Sequence, residues 1–427
     1  MDSEAKPTLQ AVSVSRLRVG MYVAELDRPW RETPFKFQGF EILSSSEIEL
    51  LDRYCDSVFV DPGFVSTVAR SGRRGGDPEP VGTDSTNVID AQSLRLRSLL
   101  GQQDAHDYSE QVSISRERPQ AVEAYHYAQE GLAKFDKALR QGKQPEARHV
   151  RGLVQPIIQS VARNPDALVW HTCLKKASPE PGGRRVGTAV WIAVLGRHLG
   201  LAPPLLLDLT SGGLLLDIGM SRMDRSLMDT TVSFDSRQHL AVRGHVQLGL
   251  DLIERIPGVT DAVTMMVAEH HERLDGSGYP HRLTRAQISA QGAMAAVADA
   301  FDAMISPRPH SAARSTADAI GELNRMSGEI FASLVVEQFV QALGLFPCGS
   351  IVELNTGEIA VVAEQDARHR LRPLLSVVTD AQQEFLPTAR KLNLAHFSAE
   401  AAARQAVWIV AGHPPGAVGA DLHRYFD

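Results

Sequence analysis

From Val186 to Phe346 apolar residues recur at helical spacing, interrupted only by short polar, glycine or proline stretches. The segments VGTAVWIAVLGRHLGL, PPLLLDLTSGGLLLDIGM, DSRQHLAVRGHVQLGLDLIERI, RAQISAQGAMAAVADAFDAMIS, ADAIGELNRMSG and EIFASLVVEQFVQALGLF predict an all-helical bundle. Asp261 to Ala268 adds another helix by the same spacing. Upstream, Val88 to Leu174 also reads as mostly helical. Its strings YHYAQEGLAKFDKALRQGK and ARHVRGLVQPIIQSVARNPDALVW repeat apolar residues at i, i+3 and i+4, and SPEPGG, Ser178 to Gly183, is a break.

The two ends follow a different pattern. Val12 to Asp61 predicts a small α/β unit: the alternating SVSRLRVGMYVAEL as strand, the aromatic PWRETPFKFQGFEI as extended chain, SSSEIELLDRYC as a capped helix and SVFVDP as a closing strand. SGRRGGDPEPVGTDSTN lacks apolar periodicity and reads as a linker. In the tail, GSIVELNTGEIAVVAE and LRPLLSVVTDAQQEFLPT each predict a hairpin. The expected organisation is a small N-terminal α/β domain at 8–65, a linker at 66–90, a helical connecting region at 91–180, a helical core at 181–346 and a β extension with tail at 347–427. The fold class is therefore mainly α, with a small β-containing unit at either end.

Composition narrows the partners. A formal net charge of −7 over 427 residues argues against a nucleic-acid polymer as ligand, though not against a small anion held by a few arginines. The three cysteines, Cys55, Cys173 and Cys348, are far apart and fit a reducing cytosol rather than a disulfide framework. The polar start MDSEAKPTLQ is unlike a signal peptide, and no apolar run is long enough to predict a membrane span. A cytoplasmic location is expected.

The densest chemistry is the string Glu269-His270-His271-Glu272-Arg273-Leu274-Asp275-Gly276-Ser277-Gly278-Tyr279-Pro280. The helix before it should carry both histidines near its C-terminus, with the glycines that follow stopping it. Paired histidines at a helix end suit metal ligation, since neutral imidazole is a common ligand for Zn or Fe. The whole string resembles the HHExxDGxGYP signature of the HD-GYP family, matching at His270, His271, Glu272, Asp275, Gly276, Gly278, Tyr279 and Pro280. The RVGMYV and VFVD strings near the N-terminus, and the PxGSxVxLxxGExAxV pattern after the bundle, resemble segments that flank the core in that family. The resemblance implies an HD-type helical bundle and, in typical members, hydrolysis of cyclic di-GMP at a centre of two or three metals.

The resemblance also implies a ligand set, and this chain keeps part of it. Asp217 matches the acid of LLHDIGK, His245 a helical histidine followed by glycine, His270 and His271 the doublet, and Asp299 the acid of VADxFDA. The first family histidine is absent around Arg184 and Arg185, Leu216 replaces the histidine of the His-Asp doublet, and Met220 replaces its lysine. Leucine cannot ligate a metal, and arginine repels one. The retained residues admit one divalent transition metal (Fe, Mn or Zn), or none. Two arrangements are open: a metal held by Asp217, His245, His270 and His271, or Arg184 or Arg185 reaching in to pair with the carboxylates. Losing half of a two-metal centre removes the bridging nucleophile, so Asp217 is at most a weak catalytic residue and hydrolysis should be weak or absent.

On the ligand side, Asp302 and Arg308 match the DxFDAxxxxRPYRK pattern, as does Pro309, while His310 and Ser311 depart from it. Arg308, Asp302, Gly278, Tyr279 and Pro280 are the expected substrate-binding residues. The expected role is a regulatory binding or protein-interaction module in cyclic di-GMP signalling, with a protein partner and a homodimer as the associations it suggests. The alternatives are a metal-dependent cyclic di-GMP phosphodiesterase with a reduced centre, and a scaffold that keeps only the bundle. His171, His198 and His239 belong to no motif and are expected to be structural or exposed.

Overall fold

The computed structural model describes residues 9–28, 33, 35, 40–42, 45–60, 95–96, 98–99, 106–143, 145–176, 182–223, 236–308, 312–365, 372–396, 407–418 and 422–425. The linker expected at 66–90, and Pro309, His310 and Ser311, lie outside these residues. Near the N-terminus, β1 (Gln10–Ser13), β2 (Tyr22–Leu26), β3 (Phe40–Glu41) and β4 (Ser57–Val60) form an antiparallel sheet in the order β1-β4-β2-β3, with helix α1 (Ser45–Tyr54) between β3 and β4. Val14, Val23, Ile42, Leu51 and Val58 make its separate core.

The helices that follow form a bundle, and all of them except Ser236–Arg243 contribute to one large core. These are α2 (Ile114–Arg140), α3 (Ala147–Arg163), α4 (Pro165–Lys175), α5 (Gly183–His198), α6 (Pro203–Leu215), α7 (Ser236–Arg243), α8 (His245–Ile253), α9 (Asp261–Glu269), α10 (Ala290–Ile305), α11 (Thr316–Arg325) and α12 (Ser333–Leu343). Helix α5 is apolar nearly all round and is buried from Val186 to Gly196, so it is the central strut. It packs against α3, α4, α6, α10 and α12. Small residues bring these helices close. A Cβ on Gly213 of α6 would stand 3.0 Å from the Ala189 backbone. Helix starts follow local chemistry: Asn164 caps Asp166 N–H at 3.0 Å, Ser289 caps Gly292 N–H at 2.9 Å and Ser315 caps Asp318 N–H at 3.0 Å.

After α12 the chain forms a second antiparallel sheet from β5 (Ile351–Leu354), β6 (Ile359–Glu364), β7 (Leu374–Thr379), β8 (Phe385–Asn393) and β9 (Ile409–His413), ordered β8-β7-β6-β5-β9. Both expected hairpins form, as β5-β6 and β7-β8. The edge strand β9 comes from the stretch read as tail. It pairs with β5 in the register Ile351↔His413, a long-range contact with no local signal. The protein is thus mainly α, with a small sheet at either end. No described helix is long and apolar enough to cross a membrane.

Candidate metal centre

Helix α6 ends at Leu215, and Leu216 is buried in the core at 2% exposure. Asp217 then leads into a short 3-10 turn, Ile218–Arg222. The turn lies hard against α8: a Cβ on Gly219 would fall 1.9 Å from the carbonyl oxygen of His245 and 2.6 Å from the amide nitrogen of Gly249. Only glycine permits that approach, and the approach sets Asp217 beside His245. Gly219→Ala is expected to cost at least ~1–3 kcal/mol by overpacking backbone on backbone. It should also weaken metal binding by moving Asp217, read as a lower urea midpoint and a lower metal affinity in one preparation.

Two histidines are oriented by backbone carbonyls. His245 Nδ1 donates to Val242 O at 2.7 Å, and His270 Nδ1 donates to Val267 O at 2.9 Å. With both Nδ1 protons so committed, both Nε2 atoms present lone pairs, and they face each other 3.3 Å apart in the buried interior. Two facing lone pairs are repulsive unless a proton or a metal ion lies between them. Asp217 Oδ1 is 3.4 Å from His245 Nε2 and 4.0 Å from His270 Nε2. Donor atoms of Asp217, His245, His270 and His271 all lie within 4.8 Å of one another. A tetrahedral ion about 2.1 Å from each ligand holds its donors about 3.4 Å apart, so the set fits one such ion.

Electrostatics keep the donors ready. Burial opposes ionisation of Asp217, but Arg184, His245, His270 and Arg185 outweigh it and hold the carboxyl below its usual range. Burial pushes His270 below the ordinary imidazole value and His271 well below it, so both stay neutral near pH 7. Helix α9 ends at Glu269, with His270 as its C-cap. The expected stop at the glycines is therefore corrected: the helix ends before Gly276. A half-buried and a buried acid divert the chain there. Glu269 accepts from Ser289 N–H and Oγ–H at 2.7 and 2.6 Å, and Glu272 accepts from His281 N–H and Leu283 N–H at 2.7 and 2.9 Å. The glutamate of the signature thus folds the loop.

Asp299 lies apart from the four-residue cluster. Arg184, in the first turn of α5, donates from Nη2 to Asp299 Oδ1 at 2.7 Å, and its Nε lies 3.7 Å from Asp302 Oδ2. Burial works against the Arg184 charge, but Asp299, Asp217 and Asp302 outweigh it and push its pKa up. Arg185 turns away, bonding Asp136 at 2.9 and 3.0 Å and the Leu214 carbonyl at 3.0 Å. The donors of the first arrangement thus lie together, with Asp217 among the histidines, while Arg184 pairs with Asp299 as in the second.

Asp302 requires a correction. It was expected on the ligand side, but it is fully buried and accepts from Lys176 Nζ at 2.6 Å, Trp191 Nε1 at 2.9 Å and Ser306 Oγ at 3.2 Å. Its partners consume it, so it braces α4, α5 and α10 and offers no ligand contact. Lys176 and Trp191 were missed by sequence reasoning. Arg308 is exposed just beyond α10, and burial of its base and repulsion by Arg184 lower its pKa, which puts it in the field of the same group.

The signature loop closes one side of the centre. Gly276 adopts φ +78°, and a Cβ on Gly278 would stand 2.5 Å from both Arg273 N and Glu272 Cα. Tyr279 N–H donates to His271 O at 3.2 Å. The Tyr279 ring stacks on His271, centroids 4.6 Å apart at 28°, while the Arg243 guanidinium lies 5.0 Å over it. Burial, then Asp217 and Asp299, push the Tyr279 phenol up, so it keeps its proton. Tyr279 thus stands at the cluster, next to Pro280 in a cis Tyr279–Pro280 peptide.

Comparison with known proteins bears on this centre. The HD domain family matches residues 157–333, a domain of unknown function matches 9–150, and a KOW domain associated with HD domains matches 351–398. The chain is 30% identical over 378 residues to a cyclic di-GMP phosphodiesterase of Pseudomonas aeruginosa, covering 88% of this chain and 86% of that protein. It is 29% identical over 149 residues to a cyclic di-GMP phosphodiesterase of Thermotoga maritima, covering 34% and 40%. Over 175 residues it is 27% identical to a 3'3'-cGAMP-specific phosphodiesterase of Vibrio cholerae, covering 40% and 37%.

Proposed function

The chain belongs to the HD-GYP family, and on that premise we propose that it is a member reduced to one metal site, which binds a cyclic dinucleotide and hydrolyses it slowly or not at all. The supporting observation is the 2.7 Å ion pair between Arg184 and Asp299, beside a four-donor set of Asp217, His245, His270 and His271. A guanidinium on Asp299 neutralises the carboxylate that a second cation would need, and it cannot leave as a hydrated ion does.

In this reading Asp217, His245, His270 and His271 hold one divalent ion. A bound ion there supplies a Lewis acid for a phosphoryl oxygen. His245 and His270 are oriented by the Val242 and Val267 carbonyls, which turns their Nε2 atoms toward the ion. Arg184 presents the rest of its guanidinium, about a third exposed, to the same space, where it suits a phosphate oxygen. Leu216 offers no lone pair for a second ion, and Met220 offers only a weak, soft thioether and no proton for a leaving oxygen. Binding survives in such a site, while the bridging nucleophile of two-metal chemistry does not. Occupancy would then be passed to a protein partner.

The names of the relatives favour a second reading, a slow phosphodiesterase with a reduced centre. One preparation separates the two. Elemental analysis should give one ion per chain, and calorimetry should detect cyclic di-GMP binding. Product formation with added Mn or Fe should stay close to background. Two firmly held ions with brisk turnover would overturn the first reading. Sustained product formation well above background that disappears in His270→Ala would favour the second.

A further inference from the structure

We infer that Arg243 is a ligand-binding residue of this centre, taking an anionic phosphodiester oxygen at the mouth beside Tyr279; the inference rests on the cyclic-dinucleotide reading above. Three observations carry it. Arg243 is exposed at the last turn of α7, and among the described residues it makes no ion pair. Its guanidinium is parked 5.0 Å over the Tyr279 ring, whose stacking partner is the cluster residue His271. Its place is set by the centre itself, because the neighbouring Val242 carbonyl accepts from His245 Nδ1 at 2.7 Å.

An exposed arginine over a tyrosine gains little by staying there, about 0.5–1 kcal/mol at an exposed site. A phosphate oxygen offers its planar fork two charge-assisted hydrogen bonds. Arg184 and Arg308 are already engaged with Asp299 or lie in its field. Among the described residues Arg243 stands beside Tyr279 without such a commitment, so it supplies new charge to an incoming anion. The tyrosine face then keeps the side chain extended toward the opening and limits the rotamer entropy lost on binding. Contact with phosphate rather than with a base predicts no selection between guanine and adenine.

The test uses the full metal-loaded chain and its Arg243→Ala and Arg243→Lys variants, with cyclic di-GMP, 3'3'-cGAMP and inorganic phosphate as probes in calorimetry. Arg243→Ala should weaken both cyclic dinucleotides by about tenfold or more, by a similar factor for each, and flatten the salt dependence. Arg243→Lys should recover part of the loss, since it keeps the charge but not the fork. Metal content and urea midpoint should match the parent in both, which a merely structural arginine would not ensure. Equal dinucleotide affinity in parent and Arg243→Ala overturns the role of Arg243 while leaving the dinucleotide reading standing. Phosphate binding that depends on Arg243, with no dinucleotide bound by the parent, overturns the dinucleotide reading and keeps Arg243 as an anion site. A parent that binds none of the three overturns both.

Discussion

Lys176→Met will lower the stability of the folded chain by about 3–5 kcal/mol, because it strands a carboxylate in the core. Lys176 is 6% exposed and Asp302 fully buried, so solvent screens neither charge, and their separation is 2.6 Å. After the substitution Asp302 keeps Trp191 Nε1, Ser306 Oγ and a distant Arg184 Nε, which places the loss nearer the lower figure. The fold is shaped around this pair: a Cβ on Gly187 would stand 2.4 Å from Asp302 Oδ1 and 2.9 Å from Lys176 Nζ. If the cost is that of an orphaned charge, removing the orphan should relieve it. Lys176→Met with Asp302→Leu should therefore recover much of the stability, as replacement of a buried pair by apolar residues does elsewhere. Urea midpoints measured at constant slope decide it. A single variant within about 1 kcal/mol of the parent, or a double variant worse than the single, refutes the brace.

Legibility of this chain in its sequence divides along the range of the contacts involved. His245, His270, His271 and Asp217 sit in strings specific enough to be placed from sequence, and the structure gathers these four. The pairing of Arg184 with a carboxylate was one of two open arrangements. Sequence could not choose, because Arg184 and Arg185 are adjacent and helix phase alone decides which one faces α10. The phase was readable in principle: Arg184, Gly187 and Trp191 follow one helical face, and a lone glycine before a buried tryptophan marks a close approach. Lys176 carried no mark, since lysine is rarely buried and its partner is far along the chain. Asp302 was placed with the ligand because it matches the family pattern, which says nothing of a buried lysine partner. The end of α9 failed for a related reason, since glutamate contacts with residues beyond the loop stop it before any glycine does. Strand β9 depends wholly on a partner strand far upstream.

His270→Ala will empty the metal centre, whereas Asp299→Asn will leave its ion in place. The first follows from the donor count. Four donors fit one tetrahedral ion, and disturbing only an outer partner of a ligand costs about 10–100-fold in affinity, so loss of a ligand costs more than about 100-fold. His271→Ala and Asp217→Ala should act alike, because each removes one donor of the same set. Asp299→Asn is the discriminating variant. Its carboxylate is bound to Arg184 at 2.7 Å and stands outside the four-donor cluster. An amide there weakens the ion pair and costs stability, but it subtracts no ligand. Elemental analysis after dialysis against a weak chelator should therefore show about one ion per chain for the parent and for Asp299→Asn, and almost none for the other three. Loss of the ion from Asp299→Asn would place that carboxylate in the ligand shell and release Arg184 from the role assigned to it. Retention in His270→Ala would remove His270 from the ligand set and leave its approach to His245 without a metal between them.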